Sequence, residues 1–361
     1  MDEKHTEIAR PWSRHRRSGG TPGHVPAGRP QAGLIGLSRG RRLVASLVGL
    51  AVLASGCAGS QGAGSQGAAS QGAGSQDAAS PAASRQAATR PDSGQPAKDS
   101  SGQAPVLPAP DAAIPTDPSR LADSLAGTVA DLRRATDDWT RDGDPAGGQA
   151  PEPVVLLALR EQRVYRYLAR EPKVASRTYA RLPKTLAARA KDNVTAIRNL
   201  LSLARPIKGA ARFRVQAPKP AGVLLGDLRR AERRFGVEWE VLAAVMFVET
   251  KFGRVRSPSY TGAKGPMQFM PGTWKAYGMG GDIQDTGDAL LAAANYLHAT
   301  GAPRDYRRAL YAYNHSQAYV DAVLLHARQM KQDIRNYYDY YNWQVYVITT
   351  RGDRRLTGPG L

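Results

Sequence analysis

The sequence predicts a mainly α-helical protein in which a disordered tether precedes the folded part and a small β-hairpin ends it. Large apolar residues are sparse in the first 120 of the 361 residues, apart from one short run. From Leu121 onward, apolar residues recur at spacings of three and four, which is the helix period. Near the end, β-branched residues alternate along Trp343–Thr350 and a turn signal follows, which predicts a hairpin within residues 336–361.

Residues 1–57 are predicted to contain a long N-terminal extension and an export signal. The charged stretch Arg39–Arg42 precedes a twelve-residue apolar run, Leu43–Ala54. Such a run is shorter than the roughly 20 residues of a permanent membrane helix and is typical of a secretory signal. Because the part before Arg39 is long for a signal, we expect translation to start downstream of Met1.

Cys57 is the only cysteine of the chain, which excludes an internal disulfide bond. It ends the stretch Leu53–Cys57, which resembles a bacterial lipoprotein cleavage site with Ala54 where leucine is usual. We predict that Cys57 is lipidated and becomes the mature N-terminus, and ordinary signal cleavage is the alternative. Residues 58–118 begin with Ser-Gln-Gly-Ala repeats and lack the apolar area needed to fold, so we expect a flexible linker.

The chain is strongly basic, with 50 Lys and Arg against 31 Asp and Glu. Residues 161–220 hold fifteen Lys and Arg and three acidic residues, a net charge of +12. This charge lies in a predicted helical region, residues 119–220, with helices expected near 153–168 and 182–203. Such a block can bind a polyanion, and the alternative is a solvated helix face. The export signal argues against a nucleic-acid partner.

An acidic residue, Glu249, ends an apolar stretch that reads as a helix. It shares one face with three apolar residues, namely Leu242, Val245 and Met246. A buried carboxylate is costly unless it is paired or protonated, and burial raises its pKa. A neutral carboxyl group can serve as a general acid. The alternative is a structural ion pair with Lys251 or Arg254, which spacing alone does not exclude.

Two further segments follow the acid. Gly262–Trp274 is a glycine-rich loop that runs into a short helix, with Pro271 suited to the first turn of that helix. Another helix is expected to be capped near Asp288. The segment Ala312-Tyr313-Asn314 lies further along the chain.

In this order and spacing, the segments resemble the lytic transglycosylases of bacterial cell walls. The resemblance covers about Leu225 to Met330, and the flanking features are similar to those of lipoproteins from high-GC Gram-positive bacteria. The matching residues form three motifs, which are Glu249-Thr250-x-Phe252, Gly265-x-Met267-Gln268-x-x-Pro271 and Ala312-Tyr313-Asn314.

The resemblance implies a lysozyme-like helical catalytic domain over residues 221–335. Glu249 would protonate the glycosidic oxygen between N-acetylmuramic acid and N-acetylglucosamine, then accept the proton of the muramic 6-hydroxyl to give a 1,6-anhydro end. Met267 and Gln268 would line the saccharide groove. Tyr313 would hold Glu249 or the substrate through its hydroxyl group, and Asn314 would support that geometry.

The resemblance also implies peptidoglycan glycan strands as the partner, with no metal and no organic cofactor. The protein would be anchored by lipid at the outer face of the cell membrane and reach into the wall, where residues 161–220 could meet anionic wall polymers or lipid head groups. Two alternatives stay open. The first is a lysozyme-type hydrolase, which becomes possible if Asp282, Asp285 or Asp288 faces Glu249. The second is a catalytically silent wall-binding protein.

Overall fold

The computed structural model describes residues 106–208 and 213–361. The predicted signal, the lipidation site Cys57 and most of the predicted linker lie outside these residues. Within them, the chain forms eleven helices and a two-stranded sheet, which confirms the mainly helical fold with a C-terminal hairpin. The elements are α1 (Pro118–Asp142), α2 (Glu152–Arg170), α3 (Pro172–Tyr179), α4 (Lys184–Leu203), α5 (Ala221–Phe235), α6 (Trp239–Thr250), α7 (Pro271–Tyr277), α8 (Thr286–Thr300), α9 (Tyr306–Tyr313), α10 (Gln317–Gln332), α11 (Arg335–Tyr341), β1 (Tyr346–Thr349) and β2 (Gly352–Arg355).

Local capping signals set several helix ends. Asp117 accepts hydrogen bonds from the backbone N–H groups of Ser119 and Arg120, at 3.1 and 3.0 Å, and so caps α1. Gly236 ends α5 with a φ of +67°, the left-handed conformation that glycine adopts without strain. None of the helices in the described part of the chain is long and apolar enough to cross a membrane.

Helix α8 starts near Asp288, as the sequence predicts. Its cap is Asp285, whose carboxylate accepts from the backbone N–H of Asp288 at 2.9 Å, and not Asp288 itself. Asp288 lies in the first turn and accepts from the backbone N–H of Asp282 at 2.9 Å. Both aspartates suit a helix start, so their order could not be decided from residue type alone.

One hydrophobic core joins the basic helices to the rest of the fold. Its buried residues extend from Leu121 in α1 to Trp343 after α11, and α4 packs along α10. A buried ionic cluster also crosses the boundary predicted at residue 220. Arg189 on α4 donates hydrogen bonds of 2.8 Å to both Glu161 on α2 and Asp339 on α11. The helices on either side of residue 220 therefore share a core and a buried charge network.

Helix α6 lies at the centre of this core. All its residues from Val241 to Thr250 are buried, and α5, α8, α10 and α11 pack around it. A helix that is apolar all round is typical of a domain interior. The face predicted to be apolar is buried, and the other faces of this helix are covered as well.

The C-terminal hairpin is attached to the helical body at two places. Ile207, in the connector after α4, bridges to Thr349, with a hydrogen bond of 3.0 Å from its N–H to the carbonyl oxygen of Ile348. Asp353 in β2 forms ion pairs with Arg166 and Arg170 of α2, at 2.5 and 2.6 Å. The tail consequently lies against α2 and the connector.

Candidate active site

Glu249 lies in the last turn of α6 with only 6% of its surface exposed. The hydroxyl group of Tyr319, in the first turn of α10, donates a hydrogen bond of 2.8 Å to its Oε1 atom. Burial raises the pKa of Glu249 well above its usual value. The hydrogen bond from Tyr319 and the charge of Lys251 favour the ionised form, but they offset only part of this effect. The carboxyl group is consequently neutral over a wider pH range than an exposed glutamate.

The cations next to Glu249 do not pair with it. Among the described residues, no lysine or arginine forms an ion pair with its carboxylate. The amino group of Lys251 donates to the carbonyl oxygen of Phe247 at 2.9 Å and lies 4.2 Å from the centre of the Phe247 ring. Burial, reinforced by the charge of Arg166, lowers the pKa of Lys251 to about 7. The structural ion pair considered as an alternative is therefore not formed.

A left-handed turn follows Glu249 and joins α6 to the glycine-rich loop. Lys251, Phe252 and Gly253 have φ angles of 52°, 59° and 83°. The hydroxyl of Thr250 donates to the carbonyl oxygen of Pro266 at 2.6 Å and accepts from the N–H of Gly253 at 2.9 Å. Thr250 therefore ties the end of α6 to the loop, a role that its position in the motif did not reveal.

The glycine-rich loop is closed by backbone hydrogen bonds between Lys264 and Phe269, at 2.9 and 2.8 Å. Gln268 has a φ of +50°, and its side-chain amide donates to the carbonyl oxygen of Gly265 at 2.9 Å. The carbonyl oxygen of this side chain is buried and accepts no hydrogen bond in the described structure. Met267 has no exposed surface and lies in the core, so its side chain does not face a groove as predicted.

The tyrosine that contacts the acid is not the one singled out from the sequence. The hydroxyl of Tyr313 donates to the carbonyl oxygen of Met267 at 2.6 Å, whereas Tyr319 donates to Glu249. Tyr313 thus supports the loop through this carbonyl group instead of holding the acid. The neighbouring Asn314 is buried at the end of α9. Residue type could not separate the two tyrosines, because they lie on different helices and only the packing of α10 against α6 selects Tyr319.

The aspartates considered as a second catalytic carboxylate are engaged in local structure. Asp285 and Asp288 each accept a hydrogen bond from a backbone N–H group at the start of α8. Asp282 accepts from the backbone N–H of Gln284 at 2.8 Å. No other acidic residue of the described chain contributes to the shifted pKa of Glu249. Across residues 106–208 and 213–361, no three His, Cys, Asp or Glu side chains are grouped to hold a metal ion.

One comparison with known proteins found a match. A family model described as Transglycosylase SLT domain matches residues 228–336, from within α5 to the beginning of α11. The matched segment includes Glu249, the glycine-rich loop, Tyr313 and Tyr319. It implies a lysozyme-like helical domain with lytic transglycosylase or lysozyme-like activity on peptidoglycan. No curated protein and no solved structure matches the chain.

Proposed function

We propose that this protein is a murein lytic transglycosylase that uses Glu249 as its single acid and base. It would cleave the β-1,4 bond between N-acetylmuramic acid and N-acetylglucosamine and leave a 1,6-anhydro end. The observation that carries the proposal is the buried, unpaired carboxyl group of Glu249, which accepts a hydrogen bond from Tyr319 and has no second carboxylate near it in the described chain.

In the first step, neutral Glu249 donates its proton to the glycosidic oxygen while the bond from this oxygen to the anomeric carbon breaks. Its raised pKa supports this role, because the group keeps its proton to higher pH than an exposed glutamate. The step leaves a carboxylate in the core. The hydroxyl of Tyr319 stabilises that negative charge by its hydrogen bond, and a protonated Lys251 adds an attractive charge.

In the second step, the oxygen of the muramic 6-hydroxyl bonds to the anomeric carbon and its proton passes to Glu249. The acid is thereby regenerated and no water is consumed. A hydrolase of the two-carboxylate type would need a second acid about 5 to 10 Å from the first. The hydrogen bonds that Asp282, Asp285 and Asp288 form with backbone groups at the start of α8 support a single-carboxylate mechanism.

The loop residues have separate roles in the proposal. Gln268 is the candidate for sugar contact, because its buried carbonyl oxygen has no partner and could accept from an N–H or hydroxyl group of the glycan. Met267 would support the loop from the core, and Tyr313 would fix the loop through the Met267 carbonyl. Asn314 stays a predicted supporting residue.

The location of the protein is also a proposal. We propose export, lipid anchoring through Cys57 and a reach into the cell wall, on the sequence features described above. The basic block supports contact with anionic wall polymers or lipid head groups only in part. Several of its arginines are used inside the fold, bonding to carboxylates or backbone carbonyls, and these are Arg163, Arg166, Arg170, Arg189 and Arg198.

The product of the reaction tests the proposal. Purified peptidoglycan is digested with the full chain in water enriched in heavy oxygen, and the fragments are analysed by mass spectrometry. We expect 1,6-anhydro ends without incorporated label. Labelled reducing muramic ends would contradict the proposal and favour a lysozyme-type hydrolase. Binding to sacculi without any soluble product would favour the silent wall-binding protein.

A further inference from the structure

A second buried charge lies outside the site of Glu249. Arg254 is only 6% exposed, and among the described residues no carboxylate pairs with it. One of its guanidinium N–H groups donates to the carbonyl oxygen of Lys251 at 3.2 Å, and the guanidinium group lies 5.0 Å from the centre of the Tyr341 ring. Burial lowers the pKa of Arg254 to about 10, so it remains charged at neutral pH.

This arrangement differs from the two other buried arginines of the described chain. Arg166 pairs with Asp353 at 2.5 Å, and Arg189 pairs with Glu161 and Asp339. A buried charge without a counter-ion is costly, so an unpaired arginine calls for an explanation. Since the described part of the chain supplies no carboxylate for Arg254, a bound ligand could supply the counter-ion.

Arg254 borders a cavity of about 350 Å³ between the connector before α5 and the C-terminal tail. This volume lies at the lower end of the range for small-molecule sites, about 300 to 1,000 Å³. Among the residues that the structure describes, no acidic side chain and no second cation line the cavity. Its other polar lining residues are neutral and comprise Gln149, Gln216, Asn342, Gln344 and Thr357.

We propose that this cavity binds the free carboxylate of a short peptide, with Arg254 as its charged partner. A single guanidinium group matches the single charge of a carboxylate and can bind both its oxygens. A phosphate dianion would leave part of its charge uncompensated, because the described lining of the cavity contributes no further cation. The amides of Gln149 and Gln216 are exposed at the cavity and offer donors and acceptors for the peptide groups that precede the carboxylate. The side chains of Asn342, Gln344 and Thr357 already bond within the fold.

The proposal also assigns a purpose to the tail and the connector. Leu356, Thr357 and Gly358 of the tail form one wall of the cavity, and residues 215–218 of the connector form another. Glu249 is not part of the lining, so the binding of a peptide here does not rest on the proposed transglycosylase activity. The two ideas can fail separately.

Calorimetric titration of the full chain tests the site with three probes: acetyl-dialanine with a free carboxylate, the same peptide as its C-terminal amide, and inorganic phosphate. We expect the free acid to bind with a Kd of about 1 mM or lower. The amide should bind at least roughly 10-fold more weakly, since it lacks the charge. Absence of binding by the acid, equal binding of the amide, or tighter binding of phosphate would each overturn the proposal.

Two variants locate the binding. Arg254→Gln should lower the affinity for the free-acid peptide roughly 10- to 100-fold, since a hydrogen bond to a charged group is lost. Arg256→Gln is the matched control, because Arg256 is exposed and lies outside the cavity lining. This variant should bind the free-acid peptide with the affinity of the wild type. Equal affinities for the two variants would refute the assignment.

A third variant keeps the test decisive if Arg254→Gln does not fold. Ala217 is an exposed residue of the lining, and Ala217→Trp would fill the cavity while leaving Arg254 in place. Its folding is checked by circular dichroism. We expect at least a 10-fold loss of affinity for the free acid. Full affinity in this folded variant would show that the peptide binds elsewhere.

Discussion

The hydroxyl group of Tyr319 lies 2.8 Å from Oε1 of Glu249, although the two residues are 70 positions apart in the chain. This contact joins the first turn of α10 to the last turn of α6 inside the core. The hydroxyl donates to a carboxyl group whose pKa is raised by burial, and this hydrogen bond becomes stronger when the group ionises. Tyr319 is therefore placed to stabilise the carboxylate formed after proton transfer.

Tyr319→Phe should slow the reaction and shift its pH dependence. Because the hydrogen bond favours the ionised form, its loss raises the pKa of Glu249 further. The alkaline limb of the profile of kcat/KM against pH, which reports loss of the protonated acid, should move to higher pH. The rate should fall roughly 10- to 100-fold, since a hydrogen bond to a charged group is lost.

Tyr313→Phe is the matched control for the shift of the alkaline limb in the kcat/KM profile. It also loses one tyrosine hydroxyl, but this hydroxyl bonds to the Met267 carbonyl oxygen. The loop contact should weaken while the alkaline limb stays in place. If both variants shift the limb equally, Tyr319 has no special relation to the acid.

Glu249→Gln should remove turnover and keep binding to sacculi. Glutamine preserves the size of the side chain but cannot donate a proton to the glycosidic oxygen, and a general acid contributes roughly 100- to 10,000-fold to the rate. Release of soluble fragments from purified peptidoglycan measures the effect. Glu240→Gln, in the first turn of the same helix, should keep wild-type turnover. Wild-type activity in Glu249→Gln would remove this residue from the mechanism.

The same substitution should change stability in a pH-dependent way. Below the ordinary glutamate pKa of 4.5, Glu249 is protonated in both the folded and the unfolded chain. Above it, the unfolded chain ionises while the folded chain holds the proton to higher pH, so the wild type loses free energy of unfolding as pH rises towards the raised pKa. The loss can reach about 1.4 kcal/mol per pH unit.

Glutamine carries no such penalty, because it does not titrate. The advantage of Glu249→Gln in free energy of unfolding should therefore grow as pH rises from 4.5 towards the raised pKa of the folded carboxyl group. Urea unfolding of both proteins at several pH values across this window measures the difference. A difference that stays constant with pH would mean that the folded carboxyl group ionises normally.

Arg189→Met should destabilise the fold by roughly 3 to 5 kcal/mol. It leaves the carboxyl groups of Glu161 and Asp339 buried without their shared cation. Burial already raises the pKa of Asp339 to about 7, against the opposing charge of Arg189. Lys184→Met, at the exposed start of the same helix, should change the free energy of unfolding by less than about 0.5 kcal/mol. Similar urea midpoints for the two variants would argue against a stabilising role for the cluster.

Gly265→Ala should distort the glycine-rich loop. Gly265 has a φ of +75°, and an added Cβ atom would overlap the carbonyl oxygen of Ile283. We expect a loss of roughly 1 to 3 kcal/mol in free energy of unfolding together with reduced turnover.

Gly272→Ala is the matched substitution in the same segment. Gly272 lies in α7 with open space around it, and alanine there should leave stability unchanged or raise it by about 0.4 to 1 kcal/mol. Thermal melts and turnover of both variants provide the readout. A Gly265→Ala protein as stable and active as Gly272→Ala would contradict the close contact.

Prediction from the sequence worked best where the signal was local. The ends of α5 and α6 follow from Gly236 and from the apolar run that Glu249 ends, and the hairpin follows from alternation and a turn. Helix α3 was not predicted, since a helix of eight residues shows little periodicity. The sequence places the cap of α8 near Asp288, and only the structure identifies Asp285 as the capping residue, because both aspartates satisfy the capping rule.

The sequence by itself determined that the folded part is helical, that Glu249 is an acid within an apolar helix, and that a glycine-rich loop follows it. The tertiary structure decided what these features contact. It selected Tyr319 over Tyr313 as the partner of Glu249 and turned Arg254 away from that acid. These contacts join distant helices, and their distances depend on how side chains of many residues fill a common core, which periodicity and capping rules do not describe.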